Sequence, residues 1–526
     1  MLRYCHDWMF SSFVAALLLG SSLAIEFVVA LPVFRRPPRF LPLVLIAASL
    51  SGCVVGPDYK FPSLSLPSFW GAEEKPAEAA KPADLARWWQ RLNDPMLTGL
   101  IDEAVAGNLD VASAKASIRE ARASYRQSGG ALLPSVEGSA SASRSKSRSS
   151  GFGSSQGASN QFQAGFDAAW ELDLFGANQR ALEAAGYGLD AAQEDLRAVL
   201  LTLIGDVASN YVELRGYQAR IDLARRTVAS QRETVALTRT KFEAGASSGI
   251  DLANASGQAA STEATLSTLE ASYAEVLHRL SVLTGRAPAA LTERLEALAP
   301  IPSPALPIAT GVPADILKAR PDVRFAERQY AQSTAQIGQA EAARYPSVSL
   351  TGSITTSGQK LGDLGKSSSI GWSFGPSLTV PIFNGGQLAA GVELAEAQRD
   401  RFFLAYRSAV LIALEDVENA SVSLSQEQLR YERLSVATAN YREAVTLARA
   451  LYQAGSSSFL EVLDADRSLY SAEDSLIQSQ VAITTDYVAL NKALGGGWDG
   501  VIDSSRPEMT DSNTGPHFAL TRLPTL

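Results

Sequence analysis

Residues 161–175 read QFQAGFDAAWELDLF, and their side chains alternate between apolar and polar. The apolar positions are Phe162, Ala164, Phe166, Ala168, Trp170, Leu172 and Leu174. The positions between them carry Gln161, Gln163, Gly165, Asp167, Glu171 and Asp173. A period of two residues predicts a β-strand with one apolar and one polar face, here over residues 161–174.

A second stretch, residues 370–382, has the same alternation. Weaker alternation predicts partner strands at about 134–144 and 346–356. Ser- and Gly-rich segments at 144–160 and 356–369 join each pair as loops. Strands of about 10 residues with one apolar and one polar face favour a transmembrane β-barrel. The alternative, an edge of a soluble sandwich, is disfavoured by the surrounding helical sequence.

Two long helical stretches follow the strand pairs. Residues 177–242 and 387–452 each run for 66 residues without proline and are rich in alanine. At about 1.5 Å per residue each helix reaches roughly 100 Å, which is the range of coiled coils. Shorter helices are predicted at 251–283 and 459–494, so the glycine-containing turns before them are hairpin tips. A solvated stalk without a lumen is the alternative, and the direct connection to the strands disfavours it.

The order of these elements repeats along the chain. Asp110 precedes Pro134 by 24 residues, and Asp322 precedes Pro346 by the same distance. The Glu243-Ala244-Gly245 segment recurs 210 residues later as Gln453-Ala454-Gly455. We therefore predict an internal duplication in which each half contributes two strands. Four strands cannot close a barrel, and open edges are not tolerated in lipid, so the chain must oligomerise. Two copies would fill the interior with side chains, and we favour three, which leave a lumen.

The predicted organisation has six parts. They are a signal region at 1–52 (with 1–34 an upstream segment from an early start site or an extra transmembrane helix), an N-terminal segment at 53–100, a first repeat at 101–284, a Pro-rich connection at 285–318, a second repeat at 319–494 and a tail at 495–526.

The signal region ends in a motif that resembles the bacterial lipobox. Arg35, Arg36 and Arg39 precede an apolar run that ends in Leu-Ser-Gly before Cys53. The resemblance implies that Cys53 is lipidated with an N-acyl diglyceride and becomes the first residue. No Asp follows Cys53, so the signal for retention in the inner membrane is missing. An ordinary apolar segment that contains a cysteine is the alternative.

The composition excludes several classes of protein. The formal net charge is −9, so no general attraction to nucleic acid is expected. The chain has two cysteines and three histidines, too few for a zinc ribbon, a disulfide scaffold or most histidine-based catalysis. Residues 245–249 fit the G-x-S-x-G pattern of a hydrolase nucleophile, but a helix precedes them where that motif needs a strand. We expect neither an enzyme nor a cofactor or metal.

The whole pattern resembles the TolC/OprM-like outer-membrane efflux factors, in the lipoprotein branch (NodT type) that works with RND pumps. The resemblance covers about residues 53–498. Its motifs are Cys53-Val54-Val55-Gly56-Pro57-Asp58-Tyr59, Trp88-Trp89, Leu92-Asn93-Asp94-Pro95, Trp170-Glu171-Leu172-Asp173-Leu174-Phe175-Gly176, Ala319-Arg320-Pro321-Asp322-Val323, Pro381-Ile382-Phe383-Asn384-Gly385-Gly386 and Ala493-Leu494-Gly495-Gly496-Gly497-Trp498.

The resemblance implies an α+β membrane protein that forms a homotrimer. Four strands per chain make a 12-strand transmembrane β-barrel, which continues as an α-helical coiled-coil tunnel in the periplasm. Residues 71–100, 285–318 and the C-terminal tail form a belt around the tunnel. The tunnel docks with a periplasmic adaptor protein linked to an inner-membrane RND-type pump, and the chain is the passive exit duct for small molecules such as drugs. A duct for type I protein secretion and a non-transporting stalk are the alternatives.

The same resemblance places a gate at the second hairpin tip. Leu460 forms an apolar constriction, and Glu461 with Asp464 forms an acidic ring that favours cations. Arg467 and Tyr452 belong to the network that closes the entrance. Close relatives carry a basic residue before the tyrosine, where this chain has Leu451, so one closing ion pair is missing. The alternative role for Glu461 and Asp464 is to complement the helix dipole.

Both hairpin tips are predicted contacts for the adaptor. The candidate residues are Gly245, Ser247, Ser248, Gly455, Ser456 and Ser457. Plain turn chemistry is the alternative explanation for glycine and serine at these positions.

Overall fold

The computed structural model describes residues 54–64, 85–146, 158–304 and 320–499 of the chain. The proposed lipidation residue Cys53 and the signal region lie outside the described residues. So do parts of the predicted belt (71–84, 305–318) and the end of the C-terminal tail, residues 500–526.

The described chain is mainly helical and contains one antiparallel sheet. A short 3₁₀ helix at Trp88–Leu92 comes first. The elements that follow are α1 (Pro95–Gly107), α2 (Leu109–Gly130), β1 (Ser135–Ser145), β2 (Ser159–Leu172), α3 (Ala177–Glu243), α4 (Gly249–Leu283), α5 (Thr292–Leu295), α6 (Pro321–Ala342), β3 (Ser347–Gly358), β4 (Ile370–Thr379), α7 (Gln387–Gln453) and α8 (Phe459–Ala493).

Corresponding helices of the two halves have equal lengths. Helices α3 and α7 each contain 67 residues, and α4 and α8 each contain 35. Gly176 and Gly386 precede α3 and α7 with φ values of 79° and 88°, a left-handed conformation that glycine adopts without strain. Each long helix therefore begins directly after a glycine turn that connects it to the sheet.

Two strands end earlier than the alternation predicts. The strand predicted at 161–174 ends at Leu172, because the Asp173 carboxylate accepts hydrogen bonds from the backbone N–H groups of Asn178 and Gln179 at the start of α3. The strand predicted at 370–382 ends at Thr379. Pro381 lies two residues beyond this end.

The sheet has the strand order β1-β2-β3-β4, with every neighbouring pair antiparallel. Strands β1 and β4 are therefore the edges of the sheet within one chain. The pairing between β2 and β3 joins the two halves of the sequence, for example at Phe166 and Ile354.

The largest apolar core surrounds the middle of α3. Trp88 and Trp89 are buried there, and the Trp88 ring meets the Tyr487 ring edge to face at 5.9 Å. The Tyr211 hydroxyl donates to Asp94 Oδ2 at 2.7 Å, while Asp94 Oδ1 caps α1 by accepting from two backbone N–H groups. Burial and this carboxylate raise the pKa of Tyr211 to about 12. The core thus ties the segment before α1 to α3 and α8.

The segment at residues 54–64, which we call the N-terminal strap, lies on α3 and α6. Arg180 of α3 is buried and donates to the carbonyl oxygens of Val55 and Gly56 at 3.1 and 3.2 Å, and to Asp58 at 2.8 Å. The Tyr59 hydroxyl donates to Glu327 of α6. Burial, and then this contact, raise the pKa of Tyr59. These contacts fix the strap where the sheet meets the helices.

Candidate functional site

One face of the sheet is apolar and exposed across all four strands. Directly paired residues of an antiparallel sheet lie on the same face. The register aligns Phe166 with Ile354 and Ile354 with Trp372, whereas Asp167 and Ser353 lie on the opposite face. Trp372, Phe374 and Phe166 are 78%, 69% and 61% exposed, whereas Trp170 is 38% exposed and Phe162 is half-buried. A continuous exposed apolar face of this kind marks contact with lipid or with another protein.

Glycines on this face lie under aromatic rings of the adjacent strand. Gly138 pairs with Phe166, and Gly352 pairs with Phe374. A Cβ atom at either glycine would lie 3.3 Å from the ring, so the small residue lets the ring cover the neighbouring backbone. At the helical end of the sheet, Trp170 Nε1 donates to the Leu132 carbonyl oxygen at 3.0 Å. This geometry suits a tryptophan whose ring is apolar and whose N–H needs a polar partner.

Helix α7 carries a second exposed apolar surface, which we call the α7 stripe. Its members are Leu404, Leu411, Val422, Leu429, Val436 and Leu447, all exposed and separated by seven or eleven residues. Seven and eleven residues are close to two and three turns of an α-helix, so these side chains lie on one face. The described residues of this chain leave that face uncovered.

The two hairpin tips have the same backbone hydrogen bonds. In the first tip the Ala246 N–H donates to the Lys241 carbonyl at 2.7 Å; in the second, Ser456 donates to Leu451 at 2.9 Å. Gly245 and Gly455 have φ values of 71° and 78°, the left-handed conformation that ends a helix. The tips are therefore built by the same turn, 210 residues apart in the chain.

The side chains of the two tips differ. Ser248 and Asp251 form a capping box at the start of α4, with hydrogen bonds of 3.2 and 3.0 Å, and Ser247 Oγ also donates to Asp251. Ser458 precedes α8 and makes no side-chain capping bond. Of the other predicted adaptor contacts, Gly245, Gly455 and Ser456 are exposed, as is Ser248. Ser247 and Ser457 are half-buried. Hydrogen bonds of the turn and the helix cap thus explain why serine stands at positions 247 and 248. Ser458, at the start of α8 in the second tip, makes no such capping bond.

The predicted constriction and acidic residues are exposed on α8. Leu460 is 65% exposed, and Glu461 and Asp464 are also exposed. Neither carboxylate makes a hydrogen bond or an ion pair with the described residues. These side chains are therefore open to solvent in the single chain.

Within one chain, Tyr452 and Arg467 make separate contacts, and their predicted shared role in closing the entrance stays a prediction. Tyr452 is buried and packs edge to face on Phe459, with ring centres 5.7 Å apart. Arg467 is exposed and its Nε donates to Gln258 Oε1 of α4 at 2.6 Å. Each contact stabilises the tip, and the second links α8 to α4.

Two contacts at the tips were not predicted from the sequence. Lys241 Nζ lies 3.9 Å from the centre of the Tyr452 ring and donates to the Tyr452 carbonyl at 2.7 Å. Arg449 of α7 pairs with Asp466 of α8 at 2.9 Å. Burial raises the pKa of Asp466, and Arg449 opposes that shift. Neither contact has a signal in the sequence, because each joins side chains on different helices and depends on how those helices pack.

Comparison with known proteins assigns the family. Residues 100–286 and 312–496 match the family described as outer membrane efflux protein. The chain belongs to this family. The matched segments include both long helical hairpins and all four strands, so the match extends over the helices and the sheet described above.

Individual relatives agree with that assignment. Nodulation protein T of Rhizobium leguminosarum bv. trifolii is 36% identical over 455 residues, covering 86% of this chain and 96% of the relative. The toluene efflux pump outer membrane protein TtgI of Pseudomonas putida is 33% identical over 478 residues, covering 88% and 98%. Neither carries the name of an enzyme. An outer-membrane location follows from the family.

Solved structures share the fold. The outer-membrane channel OprN superposes with a TM-score of 0.78 at 34% identity, covering 85% of this chain and 100% of that one. The open state of the MtrE channel of Neisseria gonorrhoeae has a TM-score of 0.75 at 32% identity, covering 85% and 99%. In the described part of this chain, no helix combines the length and hydropathy needed to cross a membrane.

Proposed function

We propose that the protein is the outer-membrane exit duct of a tripartite efflux pump. Three copies form a 12-strand barrel that continues into a helical tunnel, and small molecules pass through it passively. A periplasmic adaptor joins the tunnel to an inner-membrane RND-type pump, which supplies the energy. The observation that carries the proposal is the exposed apolar face of a four-strand sheet whose edge strands, β1 and β4, have no further partner within the described chain.

Closure of the sheet by copies of the same chain would pair the edge strands β1 and β4 and would place the exposed apolar face against lipid. A membrane-spanning sheet cannot leave edge hydrogen-bonding groups in lipid, so β4 of one copy pairs with β1 of the next. The apolar face then contacts lipid, and the polar face, which includes Asp167 and Ser353, lines the lumen. The α7 stripe supports the same arrangement, because an exposed apolar helix face of this length needs a partner helix.

A lipid on Cys53 anchors each chain. The first described residue after it, Val54, contacts Gly176 at the junction of β2 and α3: a Cβ atom at Gly176 would lie 3.0 Å from Val54 Cα. Val55 N–H also donates to the Phe175 carbonyl at 3.2 Å. The strap thus begins beside the end of a membrane strand, where an acyl chain can enter the bilayer.

The second hairpin tip is the entrance. Three copies bring three Leu460 side chains together as an apolar constriction, and three pairs of Glu461 and Asp464 as an acidic ring. Their exposure, and the absence of a hydrogen bond or ion pair from Glu461 or Asp464 to any described residue, support this role. Glu461 also lies in the first turn of α8, where it complements the helix dipole.

Conductance in planar bilayers tests the proposal. The full processed chain should be a trimer by native mass spectrometry and should give small conductance steps in lipid. Asp464→Ala should increase the conductance by loosening the closed entrance, and Asp464→Glu serves as the matched control. A trimer without conductance, in the wild type and in Asp464→Ala alike, would instead support a non-transporting stalk.

A further inference from the structure

The backbones of the two tips are equivalent position by position, so each residue of one tip has a counterpart in the other. Three backbone hydrogen bonds of the first tip recur at an offset of 210 residues in the second. The first tip pairs Ala244 with Thr240, and the second pairs Ala454 with Ala450, at 3.1 and 3.0 Å. Lys241 therefore corresponds to Leu451, and Phe242 corresponds to Tyr452.

One of the two possible cross-tip contacts is made inside the chain. Lys241, at the end of α3, lies over the Tyr452 ring at the end of α7. Its counterpart would join Leu451 of α7 to Phe242 of α3. That contact is not made within one chain: Leu451 is 48% exposed and Phe242 is 44% exposed, whereas Tyr452 is only 7% exposed.

The first tip also has room beside Phe242. In the second tip, Phe459 packs against Tyr452 and buries it. The corresponding position in the first tip is Gly249, where an added Cβ atom would lie 3.6 Å from the Phe242 ring. Because glycine stands where the second tip has a phenylalanine, one side of the Phe242 ring is left uncovered and can receive an apolar side chain.

We propose that Leu451 of one copy packs on Phe242 of the neighbouring copy and forms an apolar latch at the entrance. The inference rests on the trimer proposed above, since it needs a second copy related by the ring. Leu451 lies four residues beyond Leu447, the last member of the α7 stripe, so the latch continues that surface to the tip. The occupant of the exposed Phe242 surface is therefore a second copy of this chain.

The latch differs in chemistry from the contacts inside one chain. Within a chain, the tips are held by a cation on an aromatic ring and by the hydrogen bond from Arg467 to Gln258. The 210-residue offset places Gly257 and Ser468 at the counterparts of Arg467 and Gln258, and Gly257 has no side chain to form that bond. The seam between copies therefore depends on apolar contact, and it is the seam that separates when the entrance opens.

Cysteine cross-linking tests which copy supplies each residue. The native cysteines are Cys5 and Cys53, in the signal region and at the lipidation position, so introduced thiols can be followed in the processed chain. With a short bismaleimide, Phe242→Cys combined with Leu451→Cys should link neighbouring copies into covalent dimers and trimers. Lys241→Cys combined with Tyr452→Cys is the matched control and should link within one chain.

Two results would overturn the latch. One is that the Phe242→Cys and Leu451→Cys pair links only within one chain, or does not link, while native mass spectrometry still finds the trimer. Leu451→Glu should open the entrance at least several-fold more often than wild type, and Leu451→Met is its control. The other overturning result is that Leu451→Glu conducts as wild type does. Absence of the trimer altogether would refute the proposed function instead, so the two failures are distinguishable.

Discussion

Lys241 of α3 and Tyr452 of α7 join the two hairpin tips of one chain. The ammonium group lies 3.9 Å from the ring centre and donates to the Tyr452 carbonyl oxygen at 2.7 Å. That carbonyl also accepts from the Gly455 N–H at 3.1 Å, within the turn itself. One lysine thus holds both the ring and the backbone of the other tip.

Replacing this lysine should loosen both tips. A cation over an aromatic ring contributes about 0.5–2 kcal/mol, and a charged hydrogen bond contributes about 1.5–3 kcal/mol when its partner is buried. After a discount for partial exposure, we expect Lys241→Met to speed hydrogen exchange of the tip amides about 10-fold. Lys241→Arg should keep most of the protection, because it retains the cation. Equal protection in Lys241→Met and wild type would show that the contact contributes nothing.

Acid should loosen the first tip more than the second. The hydrogen bond from the Ser248 N–H, aided by the Ser247 and Ser248 hydroxyl groups, lowers the pKa of Asp251 below its ordinary value. A carboxylate with a lowered folded-state pKa stabilises the fold above its unfolded pKa of about 3.9, and loses that effect as the pH falls through the folded pKa. Hydrogen exchange of residues 248–254, corrected for intrinsic rates, should therefore increase below about pH 4.

The second tip provides an internal control for this prediction. Ser458 makes no side-chain capping bond, so residues 458–464 have no corresponding cap to lose. Asp251→Asn should already show the faster exchange at neutral pH, by roughly 5-fold for a cap worth about 1 kcal/mol. The same acid-induced increase at both tips would contradict the assignment to Asp251.

The acidic ring proposed at the entrance predicts ion selectivity as well as closure. Asp464 is exposed and makes no ion pair with the described residues, so its charge is free to act on ions near the axis of a trimer. Asp464→Asn should shift the reversal potential in a salt gradient toward the value for a non-selective pore. Asp464→Glu keeps the charge and should keep the cation preference. An identical reversal potential in Asp464→Asn would place this carboxylate away from the ion path.

Periodic features of the sequence predicted the elements well, because length and alternation are local properties. The predicted start of α7 at residue 387 is the observed one, and the helix ends at Gln453 where 452 was predicted. Contacts between distant segments could not be predicted in this way. Arg180 is one of many charged residues on a long helix, and nothing local shows that residues 55–58 lie on it.

The candidate site was predictable to a similar extent. Glycine and the following helix start located both tips, whereas the gate roles of Leu460, Glu461 and Asp464 stay predictions, since the structure of one chain shows only that they are exposed. The partners of Arg467 and Tyr452 were not predicted. They depend on which helices pack together across the bundle, and the sequence contains no periodic signal for that pairing.

The backbone conformation of Gly56 lets the N-terminal strap pack against α6. Its φ of 91° is a conformation that residues with a side chain rarely adopt, and a Cβ atom there would lie 2.3 Å from Gly338 Cα. That neighbour is backbone and cannot move aside, so Gly56→Ala must displace the strap. Strain of about 1–3 kcal/mol, together with weakened bonds to Arg180, should release it.

Limited trypsin digestion of the full processed protein measures that release. Lys60 is exposed in the strap, but cleavage there needs the strap to leave its seat. Gly56→Ala should be cut after Lys60 at least 10-fold faster than wild type. Gly130→Ala is the matched control, since a Cβ atom at Gly130 meets nothing within 4 Å, and it should be cut at the wild-type rate. If both variants resist trypsin equally, the strap is held by contacts other than those at Gly56 and Arg180, and its release does not depend on this glycine.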